Sequence, residues 1–488
     1  MSPSKRAPDP RGAAWRAELW RALGLLLALK GAFLLVDPNL RLFMGDSASY
    51  LHAALSDWDP PDRSFVYPML IEWSAVATQS AVSLVLLQTL FGVIGGLLAY
   101  WMLRRAAGID ARIALFAVVA VAVEPAQLFY ERMLMAEAVG LLSLLALVAA
   151  SIAYVQRGRL RWALVMAISS VLAVAFRMSL LPVVLGLALL VPMLRGWHAA
   201  ADQDGGRRVL AALRAGAHAM VILACVLGAH RLYQGLYGLR FETEPTYLLA
   251  SGQMRLGLVA PLVKPEHLQR VGLPVELLQT VGPALQDHRM REAQIWQPDG
   301  LWKRLETELE YREAQEAARK IAVRAFQSEP QALLRMGFAT LMDYFDDGLA
   351  VARLRDDYGA TPPDPGMVEA LARHLRHDAR DLAEHPGVVG KLFLGSRWWL
   401  TFVLFALAPA AIACLWLTRK DPRRRAAACV IGFTALGLVA SQLLFSHIVS
   451  FRYLHPMPVF LFLCAGLCLP RTLPHAAQGL APSHAQHT

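Results

Sequence analysis

The residues in this chain best suited to chemistry are acids and arginines placed just outside apolar stretches. Asp46 lies in Phe43-Met-Gly-Asp-Ser-Ala-Ser-Tyr50, directly after the first such stretch. Gly45 permits a tight turn there, and Asp46 is placed to cap the helix that follows. Its carboxylate would also sit at a water–lipid boundary, where it could take the proton of an acceptor hydroxyl. Tyr50 is one helical turn further on and shares its face. Glu137, in Tyr130-Glu-Arg-Met-Leu-Met-Ala-Glu137, heads another apolar run, where an acid also suits the positive end of a helix. Glu124 and Glu131 approach the same boundary, and ionisable groups at that depth are costly unless paired or functional.

Cations are expected on the same face. They are Arg177 in Phe176-Arg-Met-Ser-Leu-Leu-Pro182, Arg452 with Tyr453 in Phe451-Arg-Tyr-Leu-His-Pro456, Arg132 beside Glu131, and Lys30 near the outer end of the first stretch. Snorkelling explains each one singly. As a group they suit a phosphate, which a guanidinium can grip through two nitrogens. His218, His230, His447 and His455 form no HExxH or similar pattern, and neither a Walker loop nor a strand-linked GxGxxG is present. A nucleotide-driven pump and a nucleotide-sugar enzyme therefore have no support.

Positioning these residues falls to helices in a bilayer. Of 488 residues, 56% are hydrophobic and 18% charged, too little charge to cover a soluble chain of this size. Apolar runs near residues 18–37, 81–103, 112–130, 136–155, 161–177, 179–195, 211–234, 397–418, 426–447 and 452–470 approach the length a spanning helix needs. They do not alternate as barrel strands would, so the expected fold class is an all-α polytopic membrane protein with about ten transmembrane helices. Trp101, Trp162, Trp197, Trp398 and Trp399 suit interfacial belts. The net charge of +10 is concentrated at alternate span ends: Lys5, Arg6, Arg11, Arg16 and Arg21; Arg104, Arg105 and Arg112; Arg157, Arg159 and Arg161; Arg195, Arg207, Arg208 and Arg214; Arg419, Lys420, Arg423, Arg424 and Arg425. That asymmetry predicts a cytoplasmic N-terminus and accounts for the basicity without a nucleic-acid partner, while the Arg-rich coding and the lack of sorting signals lead to the expectation of a cell inner (plasma) membrane.

The expected organisation is a transmembrane module over 1–234 with a first extracytoplasmic loop at 37–80, an extracytoplasmic helical region over 235–396, and a transmembrane module with a cytoplasmic tail over 397–488. Within the middle region, helices are expected from an Asp299 cap through Leu301–Gln327, over Gln331–Phe345 with one face on the membrane, and over Pro365–His385. Short interfacial helices are expected in the first loop, for example Val66–Gln79. Cys225, Cys414, Cys429, Cys464 and Cys468 all fall in apolar runs and imply no disulfide framework.

The ordered motifs resemble the GT-C superfamily of membrane glycosyltransferases, which includes protein O-mannosyltransferases and the lipid A aminoarabinose transferase. The resemblance rests on Gly45-Asp46-Ser-Ala-Ser-Tyr50 after the first span, Tyr67-Pro68 opening an interfacial helix, and Met135-Ala-Glu137 starting the fourth span. Arg177 with Pro182, and Arg452-Tyr453 with Pro456, complete it. Many relatives carry Asp-Glu where this chain has Asp46-Ser47, so Glu137 is expected to take over part of the second carboxylate's role.

The resemblance implies an inverting transferase that moves a sugar from a polyprenyl-phosphate carrier to an extracytoplasmic glycan, lipid or protein. Asp46 would be the base, and Lys30, Arg132, Arg177 and Arg452 would hold the phosphate. Glu137, Tyr50 and Tyr453 would shape the binding pocket, and a divalent metal bridging Asp46 and Glu137 is left open. The alternatives are a transporter or flippase of lipid-linked saccharides, which would carry charges at the bilayer midplane, and a non-catalytic envelope scaffold.

Overall fold

The computed structural model describes residues 10–56, 58–200, 205–281 and 287–469. Lys5, Arg6 and the tail beyond residue 469 lie outside the described residues. The N-terminal part runs through α1 (Pro10–Val36), α2 (Met44–Leu55), α3 (Val66–Ile71), α4 (Ala81–Trp101) and α5 (Ala111–Ala122). It continues through α6 (Pro125–Tyr130), α7 (Glu137–Arg157), α8 (Arg161–Phe176), α9 (Leu181–Ala200) and α10 (Gly205–Arg240). Shorter helices follow: α11 (Ser251–Val259), α12 (Pro265–Gln269), α13 (Glu276–Val281), α14 (Ala293–Trp296), α15 (Leu301–Glu308) and α16 (Tyr311–Ser328). Then come α17 (Pro330–Met342), α18 (Asp347–Tyr358), α19 (Pro365–Leu375) and α20 (Gly387–Leu394), and finally α21 (Arg397–Thr418), α22 (Pro422–Phe445) and α23 (Met457–Cys468).

The chain is an all-α polytopic membrane protein. Among the described residues, eight helices are long and apolar enough to cross a membrane, and two shorter apolar helices, α5 and α8, accompany them. No strand occurs among these residues; the sole extended pairing is an isolated parallel bridge between Arg41 and Met133. Leu27, Leu86, Phe116, Leu164, Leu189, Phe402 and Trp416 point outward from the bundle, as lipid-facing side chains must.

Local chemistry breaks several of the expected helices. The run at 112–130 divides because Glu124 caps α6, accepting from Gln127 N at 2.7 Å, while Pro125 supplies no N–H to continue α5. The helix expected over Leu301–Gln327 divides at Leu309 and Glu310. There the backbone turns extended, and Trp302 folds edge-on against Tyr311 at 6.0 Å. Its N-cap is Gly300 and not Asp299. The helix over Pro365–His385 stops at Leu375, where Arg376 takes a left-handed conformation (φ 50°). Gln331–Phe345 is helical as expected, as α17 plus one 3-10 turn. The helix from Val66 runs through a π-turn at Glu72–Val76 to Thr78, and Gln79 leaves it in a left-handed conformation (φ 52°).

α7 is the axis of the bundle, buried along nearly its whole length. Its far end, near Arg157, gathers basic side chains. Arg104 pairs with Glu18 at 2.8 Å, and Gln156 and Arg423 both donate to the Ala106 carbonyl. Arg195 donates to the Val155 carbonyl, and Arg425 stacks over Trp197. Its near end begins at Glu137. At 1.5 Å per residue the two ends are separated by roughly 30 Å, the thickness of a hydrocarbon core. Helices α11–α13 and α15–α17 enclose a core of their own, built from Leu256, Leu268, Trp302, Leu305, Ile321 and their neighbours.

Candidate functional site

At the Glu137 end of α7, two carboxylates and three guanidiniums from distant parts of the chain come together. Arg452 Nη1 lies 2.7 Å from Asp46 Oδ2, and its Nε donates to Glu137 Oε1 at 2.7 Å. The other Asp46 oxygen faces Arg63 Nη1 at 2.9 Å. Arg177 donates through Nη2 to the Arg452 carbonyl at 3.3 Å. Arg63 also stacks over the Tyr50 ring at 5.0 Å, and Arg452 over Phe43 and Tyr453. Arg452 therefore stands between the two acids. Asp46 keeps 17% of its side-chain surface exposed, whereas Glu137 keeps 2%, so Asp46 is the carboxylate an incoming molecule meets.

Each member is held by its own element. Asp46 lies in the first turn of α2 but does not cap it. The neighbouring Ser47 accepts from Phe43 N at 2.8 Å and donates to the Leu134 carbonyl at 2.9 Å. This single hydroxyl ties α2 to the irregular strip just before Glu137. Gln88 of α4 holds the same strip through the Glu131 and Met133 carbonyls and accepts from Tyr67, whose ring meets Tyr50 edge-on at 4.8 Å. Glu137 opens α7 without capping it. Arg63 is clamped to Asp62 at 2.6 Å, and its loop is anchored where Tyr233 donates to Ser64 and Ala250 N donates to the Pro61 carbonyl. Arg452 lies in a 3-10 turn ahead of α23.

Of the residues singled out by sequence, Asp46, Tyr50, Glu137, Arg177, Arg452 and Tyr453 meet here. Lys30 and Arg132 do not join them. Lys30 forms a buried pair with Glu131 at 2.6 Å, seated against Gly92 of α4. Arg132 donates to the Asp37 and Leu128 carbonyls at 2.7 Å each, a contact that joins α1 to α6. In a medium without water, such main-chain contacts are what a buried guanidinium requires.

Arg63 and Asp357 belong to the group although sequence reasoning missed both. Asp357, at the end of α18, accepts from Ser450 Oγ at 3.0 Å and from Arg452 N at 3.2 Å, fixing the turn that carries Arg452. Burial pushes its carboxyl up to about 7, against the pull of those donors. Burial also pushes the Asp46 carboxyl up, but Arg452 and Arg63 together outweigh it and hold Asp46 below the usual carboxylate range. A divalent metal bridging Asp46 and Glu137 does not fit this arrangement, because the Arg452 guanidinium already occupies the space between the two acids. No group of three or more His, Cys, Asp or Glu side chains suited to a metal occurs among the described residues.

No family model matches this chain, and no curated protein matches it. Among solved structures it is similar to the crystal structure of ArnT from Cupriavidus metallidurans bound to undecaprenyl phosphate, at 15% identity and a TM-score of 0.31, over 88% of this chain and 77% of that one.

Proposed function

We propose that the chain is a membrane glycosyltransferase. It moves a sugar from a polyprenyl-phosphate carrier to an acceptor hydroxyl on the extracytoplasmic side, with inversion at the anomeric carbon. The observation that carries this reading is the Asp46–Arg452–Glu137 bridge, with Arg63 on the second Asp46 oxygen. A largely buried carboxylate that keeps one edge open is neutralised by two guanidiniums at the end of the bundle opposite the basic span ends.

Such a site is built for exchange. A phosphate arriving at the membrane surface competes for Arg452 and Arg63, which bind phosphate oxygens as readily as carboxylates. As the guanidiniums turn to the phosphate, Asp46 is relieved of both positive neighbours and becomes a stronger base. It then takes the proton of the acceptor hydroxyl as that oxygen attacks the anomeric carbon. The carbon–oxygen bond to the phosphate breaks on the opposite face. The freed polyprenyl phosphate needs no proton, because its charge is met by the same arginines.

The test uses purified protein in liposomes supplied with polyprenyl-phosphate monosaccharides and an envelope extract as the source of acceptors. The expected result is a glycosylated product together with sugar-free polyprenyl phosphate. Movement of the intact sugar-lipid between leaflets without any transfer product would replace this reading with that of a flippase.

A further inference from the structure

Next to Arg452 lies a set of polar atoms that the pairs above leave without partners. Four buried side chains each keep one polar atom that bonds to nothing in the protein: Glu137 Oε2, Arg177 Nη1, Tyr130 Oη and His455 Nδ1. They are neighbours. The Tyr130 and His455 rings are 4.9 Å apart, Arg177 Nη2 and His455 N both donate to the Arg452 carbonyl at 3.3 Å, and the Arg177 stem lies against Gly140, one turn from Glu137. Buried polar atoms without partners are costly, and a cluster of them marks a place where something else supplies the bonds.

The protons on these groups can be assigned by following the network back to Lys30. Lys30 donates to Glu131, and a carboxylate can only accept. Gln127 must therefore turn its amide nitrogen to Glu131, at 3.1 Å, which leaves its carbonyl facing His455 Nε2 at 3.1 Å. Nε2 is then the donor, so the neutral His455 ring presents a lone pair at Nδ1. The cluster thus offers two acceptors (Glu137 Oε2 and His455 Nδ1), one donor (Arg177 Nη1) and one hydroxyl able to do either (Tyr130). A phosphate, all acceptor, would oppose two of the four. A hydroxyl-rich ring, whose groups both donate and accept, satisfies all of them.

We infer that Glu137, Arg177, Tyr130 and His455 form the subsite for the sugar ring of the lipid-linked donor, with the Lys30–Glu131–Gln127 chain fixing His455 as an acceptor. This rests on the transferase reading. It also gives Lys30 a role different from phosphate contact: it sits at the head of the network that sets the His455 tautomer.

The experiment measures binding to protein in lipid nanodiscs of sugar-free polyprenyl phosphate and of a panel of polyprenyl-phosphate monosaccharides. Tyr130→Phe and His455→Leu are compared with the wild type. Each variant is expected to weaken the sugar-bearing lipid by roughly tenfold, the effect of one lost hydrogen bond to a buried group, and to leave the sugar-free lipid unchanged. Equal weakening of both lipids, or no weakening of either, overturns the inference. Tyr130→Phe removes one oxygen only and carries the test if His455→Leu does not fold. A wild type that binds the sugar-free lipid and no sugar-bearing form also overturns the inference, whereas one that binds neither removes the transferase reading beneath it.

Discussion

The side chain of Arg177 crosses α7 directly over Gly140, one turn beyond Glu137, and a methyl group on Gly140 would stand 2.8 Å from Arg177 Cγ. Glycine is what leaves room for the stem of this side chain, whose Nη2 reaches the Arg452 carbonyl. Gly140→Ala should therefore displace Arg177 while leaving the helix intact, since alanine is the better helix former by about 1 kcal/mol. The expected outcome is a fall of roughly tenfold in transfer, about 1.4 kcal/mol, with a melting temperature close to that of the wild type. Transfer kinetics and thermal unfolding of the purified variant check it.

Arg63 should set the acid limit of the reaction. Asp46 must be ionised to act as a base, and Arg452 and Arg63 together hold its carboxyl low against the opposing effect of burial. Removing one of the two leaves burial less opposed. Arg63→Ala should accordingly move the acidic limb of the pH profile of kcat/KM to higher pH, with Arg63→Lys moving it less. A limb that does not move would show that another group governs it.

Asp357 should make stability fall as pH rises across the mildly acidic range. Its folded carboxyl is raised to about 7 by burial, above the ordinary aspartate value. The folded state therefore keeps a proton that the unfolded chain has released. The contribution is fully present below the unfolded value and is lost as pH rises through about 7. Asp357→Asn should flatten the melting temperature between roughly pH 4 and 7 relative to the wild type. Melting curves across that interval measure the difference.

Lys30 and Glu131 should matter to the fold as a pair. Breaking a buried pair leaves an uncompensated charge, a loss of about 3–5 kcal/mol, whereas removing both members is far milder. Lys30→Met and Glu131→Gln are each expected to lower the unfolding midpoint strongly, and the double variant to recover much of it. Unfolding in detergent micelles reads out the cycle. Additive losses would mean that the two charges do not depend on each other.

The membrane helices were legible in the sequence because a bilayer demands about 20 apolar residues in a row, and Leu, Val and Ala supply that without reference to anything distant. Their interruptions were less so. Glu124-Pro125 ends α5 by a cap whose partner, Gln127, could equally have continued the helix, and Leu309-Glu310 turns because Trp302 finds Tyr311. At the site, Asp46, Glu137, Arg177 and Arg452 were visible because charge next to an apolar run is expensive and needs a reason. Arg63 was not, since in Asp59-Pro-Pro-Asp-Arg63 a basic residue reads as an ordinary turn and only tertiary structure brings it to Asp46. Lys30 and Arg132 carried the same signal as the site arginines, but burial gave them partners of their own in Glu131 and the main chain. Ser47 looked like a missing carboxylate, yet its hydroxyl is what joins α2 to the strip before Glu137.

Sugar transfer by purified Asp46→Asn is the most direct trial of the central claim. The variant keeps the size and shape of the side chain, removes its charge and basicity, and turns one of its two acceptor oxygens into an amide donor. Turnover should fall by two or more orders of magnitude, on the order of what general-base catalysis supplies, while binding of polyprenyl phosphate persists. Near wild-type turnover by Asp46→Asn would contradict the account and take the base out of the mechanism.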